Sequence, residues 1–315
     1  MSSTAVSSEG RLYIIELDLS SFPNQNGRIV TCRPDGSELK DLITGLKHLP
    51  DGIAIDEENG HIYWTNMGAS TGGFLDGSIQ RSNLDGSNIT TIVPQGTIHT
   101  PKQLTLAQSK ERGAELYWCD REGMRVMRCG LDGSNVETLV KTGESLEDRQ
   151  DQKRWCVGIA VDTAAGVMYW TQKGGSKGNV GRIFRAPLVN TKNEAPDGRT
   201  DIEVLFDKLP EPIDLHINTE TKVLYWTDRG DPPFGNSVNC ARVADSKDAL
   251  LKLMERRVLT RKLHEGIGLA VDEVNGKMYF TDLLGGVYSA NVDGSDKQVL
   301  HADIGDCTGI AYSLV

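Results

Sequence analysis

Three of the six histidines in this chain occupy the same place in a repeated pattern, just before a short apolar segment. His48, His99 and His264 could each move a proton near neutral pH, because imidazole titrates there. Lys102 follows closely after His99 and could polarise a carbonyl oxygen or tune a neighbouring imidazole. We therefore predict that these four residues are the hydrogen-bond donors or proton-transfer groups of a site.

Similar positions supply aromatic rings and charged groups that could hold a ligand. Trp155, Phe234 and Phe74 could stack on a flat apolar molecule. The polar candidates for binding are Asp51, Asp214, Arg229 and Asp306. Together these residues predict an acidic, aromatic-lined pocket for a small hydrophobic or aromatic substrate.

The chain lacks the short motifs of several common enzyme classes. It has no GxSxG nucleophile elbow, no GxxxxGK[ST] phosphate loop and no HExxH zinc motif. No two of its six cysteines form a CxxC pair, which argues against zinc. We therefore expect no metal and no cofactor at the site.

The candidate residues are positioned by a repeat that fills the chain. Its clearest element is a Tyr-Trp-Thr-Asp tetrad or a variant of it, and a degenerate copy surrounds Tyr13. The five clear tetrads are residues 63–66, 117–120, 169–172, 225–228 and 279–282. Their tyrosines are 52 to 56 residues apart, so the chain holds six periods.

Each period contains four strand patterns. An apolar strand such as residues 52–56 comes first, the Tyr-Trp strand follows, and a third strand runs into an Asp-Gly turn such as Asp85-Gly86. Asp-Gly between alternating strands is a strong hairpin signal, because the turn requires positive φ. Four antiparallel strands per period predict an all-β, six-bladed β-propeller.

The two ends of the chain complement each other. Residues 309–312 repeat the first strand of a period, and residues 11–43 supply the other three. We predict that these N- and C-terminal strands close the last blade, which removes free sheet edges. Residues 1–10 are expected to be a flexible N-terminus, and residues 11–315 a single propeller domain.

The strand order also predicts where a site would lie. First strands begin and second strands end on one face, called the top below. The top loops differ between blades, whereas most turns on the bottom are short and alike. Variation on a repeated scaffold indicates a site at the top mouth of the central channel. Residues 245–257 have helical spacing and are expected to cap a blade on the bottom face.

The five tetrads resemble those of YWTD propellers, or LDL-receptor class B repeats, over essentially the whole chain. The resemblance implies that the tetrad aromatics pack between blades. It also implies that Asp120, Asp228 and Asp282 tie neighbouring blades together and do no catalysis. The departures from the tetrad are Asn66, Cys119, Gln172 and Phe280. The receptor relatives flank the propeller with cysteine-rich modules that this sequence lacks, so receptor function is not expected.

A YWTD propeller of this kind also resembles fungal hetero-Diels–Alderases of tropolone sesquiterpenoid pathways. That resemblance implies a biosynthetic enzyme of secondary metabolism, a cofactor-free cyclase. It would join a reactive polyketide-derived quinone methide to an alkene in the channel mouth. Holding both partners face to face would replace translational entropy by binding, and a donor on the carbonyl oxygen would lower the barrier further.

Two other functions stay open. The top face could bind a protein or peptide partner without any reaction. Six-bladed lactonases hold calcium in the channel through Asp, Asn and Glu, so a metal-dependent, lactonase-like hydrolase is the second alternative. A deep apolar pocket would favour the cyclase, and a broad, flat, acidic face would favour the binding protein.

The composition of the chain limits which binding partners and which cellular compartment we expect. The net charge of −10 argues against binding to nucleic acid or to anionic membranes. Residues 1–10 have neither the basic nor the apolar region of a signal peptide. The scattered cysteines are expected to be buried thiols in a reducing compartment. We therefore expect a cytoplasmic protein.

Overall fold

Six four-stranded antiparallel sheets make up the computed structural model, which describes residues 10–69, 75–243 and 255–314. Their inner strands surround a central channel, so the protein is a six-bladed β-propeller, as predicted. Three strands of blade 6 come first: β1 (Gly10–Glu16), β2 (Gly27–Cys32) and β3 (Lys40–Leu46). Blade 1 is β4 (Pro50–Asp56), β5 (His61–Asn66), β6 (Gly77–Asn83) and β7 (Thr90–Ile98). Blade 2 is β8 (Pro101–Ser109), β9 (Gly113–Asp120), β10 (Arg125–Gly130) and β11 (Glu137–Lys141).

The remaining blades follow in chain order. Blade 3 is β12 (Cys156–Asp162), β13 (Val167–Gln172), β14 (Gly181–Pro187) and β15 (Glu203–Leu209). Blade 4 is β16 (Pro212–Asn218), β17 (Val223–Asp228), β18 (Ser237–Arg242) and β19 (Arg257–Arg261). Blade 5 is β20 (Gly266–Asp272), β21 (Lys277–Asp282), β22 (Val287–Asn291) and β23 (Gln298–His301). The inner strand of blade 6 is β24 (Cys307–Leu314).

Short helical turns lie outside the sheets. One α-helix, α1 (Leu146–Gln150), precedes blade 3, and 3-10 turns cover Leu19–Ser21 and Gln152–Arg154. Among the described residues, no helix is long and apolar enough to cross a membrane. Phe74 and most of the expected bottom helix at 245–257 lie outside the described residues, as do residues 1–9.

The last blade closes as predicted. β24 pairs with β1 in antiparallel register, with Leu12 opposite Tyr312 and Ile14 opposite Ile310. The first and last strands of the chain are therefore hydrogen-bonded neighbours. This pairing joins the two ends and removes the sheet edge that each would otherwise expose.

Tetrad aromatics fill the spaces between neighbouring blades. Trp226 packs with Tyr169 and Ile183 of blade 3, and Trp118 packs with Tyr63 of blade 1. Each tetrad Trp or Phe thus lies against the preceding blade, together with that blade's tetrad Tyr. The four tetrad tryptophans are almost completely buried. The role implied for the aromatics is confirmed.

The tetrad threonine makes a hydrogen bond between blades that recurs around the ring. Thr171 Oγ1 accepts a hydrogen bond from Gly158 N–H at 2.7 Å and donates to the carbonyl oxygen of Ile213 in blade 4 at 2.8 Å. Thr227 repeats this arrangement toward the carbonyl oxygen of Ile267 at 2.6 Å. In these two cases the bond holds the second residue of the following inner strand in place. A side chain at Gly158 would clash with the Ile213 carbonyl, so glycine permits the close approach.

The tetrad aspartates form hydrogen bonds with the connections between blades. Asp120 accepts hydrogen bonds from the backbone N–H groups of His99 and Thr100, and Asp282 accepts one from His264 N–H. They therefore fix the connection that enters their own blade from the preceding one. The expectation that they tie neighbouring blades together is refined, because the threonines make the direct link.

All six cysteines are buried in strands, and all are free thiols. Cys119 replaces the tetrad threonine, and its Sγ lies 3.2 Å from the carbonyl oxygen of Gly158 in blade 3. A thiol here makes a weaker version of the bond between blades. The expectation of buried thiols is confirmed.

We expect Thr171→Val to destabilise the protein by about 2–4 kcal/mol, because it leaves a buried N–H and a buried carbonyl without partners. Thr171→Ser keeps the hydroxyl and should cost about 1 kcal/mol or less. Urea unfolding of both variants measures the difference. Equal losses for the two would show that the hydroxyl is not what joins the blades.

Candidate functional site

The residue that follows each tetrad divides the channel mouth into two halves. Second strands end at the top, so this residue lies at the mouth in every blade. In blades 5, 6 and 1 it is Leu283, Leu17 and Met67, which we call the apolar half. In blades 2, 3 and 4 it is Arg121, Lys173 and Arg229, which we call the cationic half. Because neighbouring blades carry like residues, the mouth has one apolar and one charged side.

The apolar half continues into the floor of the mouth. Leu17, Leu49 and Met67 form a buried cluster against which Leu283 packs. Leu283 also packs against Val157, Ile213 and Ile267, the second residues of three inner strands. Val157, Ile213 and Ile267 therefore make one side of the floor apolar, and the threonine bonds between blades hold the backbone of two of them.

Two cations of the cationic half share one carboxylate. Glu211 Oε1 lies 2.9 Å from Lys173 Nζ and 2.8 Å from Arg229 Nε. The side chains of Lys173 and Glu211 are only 7% and 1% exposed. Burial lowers the pKa of Lys173, and the Glu211 carboxylate partly opposes that shift.

Trp155 lies among these cations. The guanidinium carbon of Arg121 is 5.1 Å from the centre of its ring, and Lys173 Nζ is 5.6 Å from it. Trp155 Nε1–H donates to the carbonyl oxygen of Arg149 at 2.8 Å, which fixes the indole. Arg149 belongs to α1, whose N-terminus is closed by a capping box between Ser145 and Asp148. This short helix therefore positions the aromatic ring.

A second buried ion pair lies at the boundary between the two halves. Lys102 Nζ is 2.6 Å from Asp51 Oδ1 and 3.2 Å from Met67 Sδ. Gln103 Nε2 donates to Asp51 Oδ2 at 3.3 Å. Burial lowers the pKa of Lys102; Asp51 opposes the shift, and the charge of Arg121 adds to it.

Asp214 lies below the mouth, at the central channel. A cavity of about 190 Å³ is lined by all six inner strands and by Asp214 and Gln103. The two carboxylate oxygens of Asp214 accept hydrogen bonds from the N–H groups of Leu215 and Leu269, both at 2.9 Å. Burial nevertheless raises the pKa of Asp214 to about 7, outweighing these hydrogen bonds, and the nearby charge of Asp51 adds to the rise.

The three predicted histidines lie on different blades. His48 and His264 are exposed in the connections that enter blades 1 and 5. His99, entering blade 2, is half-buried, and its Nε2 is 3.5 Å from a terminal nitrogen of Arg149. Of the four predicted donors, Lys102 is the one whose charged group is buried at the mouth.

Two other predicted residues have partners away from the cationic half. Phe234 is 49% exposed, and its ring stacks with the guanidinium of Arg256, 4.7 Å away, near the outer strand of blade 4. Asp306 Oδ2 accepts hydrogen bonds from the N–H and hydroxyl of Ser20. Among the described residues, Asp306 forms the one group able to hold a metal, with Glu16 and Asp18, their ligand atoms within 4.8 Å of one another.

Sequence reasoning missed Arg121, Lys173, Met67 and Leu283, although it selected Arg229. The sequence contained a signal for these residues, because each of them directly follows a tetrad and so occupies the same position in its repeat. Aligning that position shows three apolar and three cationic residues in two consecutive runs around the ring.

We expect Asp214 to make stability depend on pH. Its folded pKa of about 7 lies above its unfolded value, so the folded state binds the proton more tightly. This contribution, on the order of 3–4 kcal/mol, is fully present below about pH 4 and is lost as the pH rises through about 7. Urea unfolding of the wild type and Asp214→Asn at about pH 5 and about pH 8 tests it. The stability advantage of the wild type should shrink at the higher pH, and a constant difference would contradict this assignment.

Solved structures with similar folds support the architecture. The propeller in a crystal structure of a nidogen/laminin complex superposes with a TM-score of 0.70 at 18% identity, covering 97% of this chain and 98% of that one. TolB from Acinetobacter baumannii superposes with a TM-score of 0.64 at 11% identity, covering 98% of this chain and 67% of TolB. At these identities the likeness concerns the fold alone.

Two curated relatives from fungi match most of this chain. A protein of Cochliobolus heterostrophus named "3-hydroxyacyl-CoA dehydrogenase-like protein LAM1" is 40% identical over 93% of this chain, which spans 62% of that relative's length. A protein of Pyricularia oryzae named "Low-density lipoprotein receptor-related protein 1" is 51% identical over 96% of this chain and 97% of its own length. No family model matches the chain. From its tetrads, its six blades and this full-length similarity, the chain belongs to the YWTD propeller family of the Pyricularia oryzae protein.

Proposed function

We propose that this protein is a biosynthetic enzyme of fungal secondary metabolism, a cofactor-free cyclase of the hetero-Diels–Alder type. The observation that carries the proposal is the division of the mouth into an apolar half and a cationic half, with Trp155 among the cations. A cycloaddition between a polar heterodiene and an apolar alkene needs two such surfaces facing each other. The fungal origin of the two relatives that match more than nine-tenths of this chain supports the proposed setting.

In the proposed reaction, a quinone methide supplies the C=C–C=O heterodiene and a terpene supplies the alkene. One C–C bond and one C–O bond form while three π bonds become one, so no atom leaves and no electron acceptor is needed. Negative charge grows on the carbonyl oxygen as the bonds form. Donors placed at that oxygen stabilise the transition state more than the ground state.

The described residues can be assigned to these tasks. Lys173 and Arg121 lie beside Trp155, which supports assigning them as donors to an oxygen of a ring held against the indole. The apolar half and the floor are suited to the alkene partner. Holding both partners at contact distance contributes through effective concentration, up to about 7–11 kcal/mol in favourable cases. Lys102 is a further donor candidate, and His48, His99 and His264 remain candidates for proton transfer at the rim.

We also propose a reducing compartment, the cytoplasm, for this protein. Six buried free thiols support that setting, because cysteines in oxidising compartments usually pair.

The proposed substrates are small and partly apolar.

A second candidate function is the binding of a protein or peptide on the top face. It is favoured by Phe22 and Leu284, which are 52% and 64% exposed in the top connections of blades 6 and 5. Both belong to the blades that form the apolar half. A partner there would cover apolar surface that a small substrate leaves exposed.

We expect tropolone-type and terpene ligands to raise the melting temperature, and paired substrates to give a cyclised product enriched in one enantiomer. Lys173→Met removes one donor while Glu211 keeps Arg229 as its partner. We expect this change to lower kcat about 10²-fold, the usual effect of removing one oxyanion donor. Chiral chromatography of the product against the uncatalysed reaction measures both effects.

Lys277→Met is the matched control, because Lys277 begins β21 on the opposite face and its ion pair with Asp296 is exposed. It should leave the rate unchanged. A racemic product at the uncatalysed rate would overturn the cyclase proposal, and capture of a protein that Phe22→Ser and Leu284→Ser abolish would favour the binding function.

A further inference from the structure

We infer that the cationic half, together with Lys102, is an anion-binding site, and that the ligand of the mouth binds as an ionised acid. The inference rests on the proposed function in placing a small ligand at this mouth, and it adds the charge of that ligand. The ligand class is an acidic enol, phenol or carboxylic acid attached to an apolar body.

Charge balance is the first argument. Four cations meet here: Lys102, Arg121, Lys173 and Arg229. They pair at 2.9 Å or less with only three carboxylates, Asp51, Glu122 and Glu211, because Glu211 serves two of them. Glu265 is the next acid, 3.9 Å from Arg229 and 41% exposed. At hydrogen-bonding distance the four cations thus meet three carboxylates, and the fourth carboxylate is the more distant and partly exposed Glu265, in a chain whose net charge is −10.

Mutual repulsion is the second argument. The charge of Arg121 lowers the pKa of both Lys102 and Lys173, and Arg229 lowers that of Lys173 further, in addition to the effect of burial. The cations are thus close enough to disfavour one another's charged forms. A bound anion would offset this repulsion, and it would do so strongly because these groups are largely shielded from water.

Geometry gives the third argument and the shape of the ligand. Lys173 and Arg121 both lie within 6 Å of the centre of the Trp155 ring, so an anionic group near them has an aromatic surface at its side. The apolar floor of Val157, Ile213 and Ile267 lies next to the cationic half. An inorganic ion would satisfy the charges but leave this floor uncovered. The combination therefore fits an aromatic or otherwise apolar acid.

The test compares two probes of the same shape that differ in charge, 1-naphthoate and 1-naphthamide. Trp155 provides the signal, because it is partly exposed while the other four tryptophans of the chain are buried in tetrads. In tryptophan fluorescence titrations at low salt and neutral pH, we expect 1-naphthoate to bind at least about tenfold more tightly than 1-naphthamide. Raising the salt from about 50 mM to about 500 mM should weaken only 1-naphthoate.

Variants assign the effect to the site. Lys173→Met should weaken 1-naphthoate about tenfold and leave 1-naphthamide unchanged, whereas Lys173→Arg should retain most of the affinity. Lys277→Met on the opposite face is the matched control and should change neither. Should Lys173→Met fail to fold, the salt dependence of the two probes in the wild type still decides the question.

Equal affinity for both probes, or no binding of 1-naphthoate, would overturn the inference, as would an equal loss of both in Lys173→Met. These results are separable from the fate of the proposed function. Charge-selective binding without cyclised product would support the anion site and refute the cyclase. Cyclised product together with equal affinities for the two probes would support the cyclase and refute the anion site.

Discussion

The contact between neighbouring blades is the interaction on which the rest of this structure depends. It combines a buried layer of tetrad aromatics with a threonine hydroxyl that bonds to the inner strand of the next blade. Burial of the large rings supplies much of the favourable free energy, while the hydroxyl satisfies two backbone groups that could not reach water. Because the inner strands must approach this closely, their second residues converge at the channel mouth. Pairing of β24 with β1 then makes the arrangement a closed ring.

Repetition explains how such a scaffold can carry an asymmetric site. The position after each tetrad is equivalent in every blade, so a substitution there changes the mouth with little effect on the layer between blades. Leu17, Met67 and Leu283 occupy it on one side, and Arg121, Lys173 and Arg229 on the other. The site is thus a pattern of substitutions on equivalent positions, and α1 fixes the orientation of the one tryptophan that does not belong to a tetrad.

The mouth and channel bury charges at a cost to stability. Burial raises the pKa of Asp214 to about 7 and lowers those of Lys102 and Lys173. Burying an ionised group costs folding free energy unless the group is paired. Buried ionisable groups with a shifted pKa beside a cavity are a common feature of functional sites. A ring closed by strand pairing and six aromatic layers can tolerate such local losses, because no single blade has to be stable alone.

The sequence by itself determined the blade number, the strand order, the closure by both chain ends and the packing role of the tetrad aromatics. Those properties follow from local patterns, since alternation and turn chemistry act over a few residues and the repeat multiplies the signal. It also predicted a site on the top face, where the cationic half and the apolar half lie, but it did not group the residues that the structure brings together there. Only the tertiary structure decided that Lys173 and Arg229 share Glu211 and that Arg121 lies beside Trp155. The physical reason is that these contacts join residues of different blades, and their distances depend on how the ring closes, which no local pattern encodes.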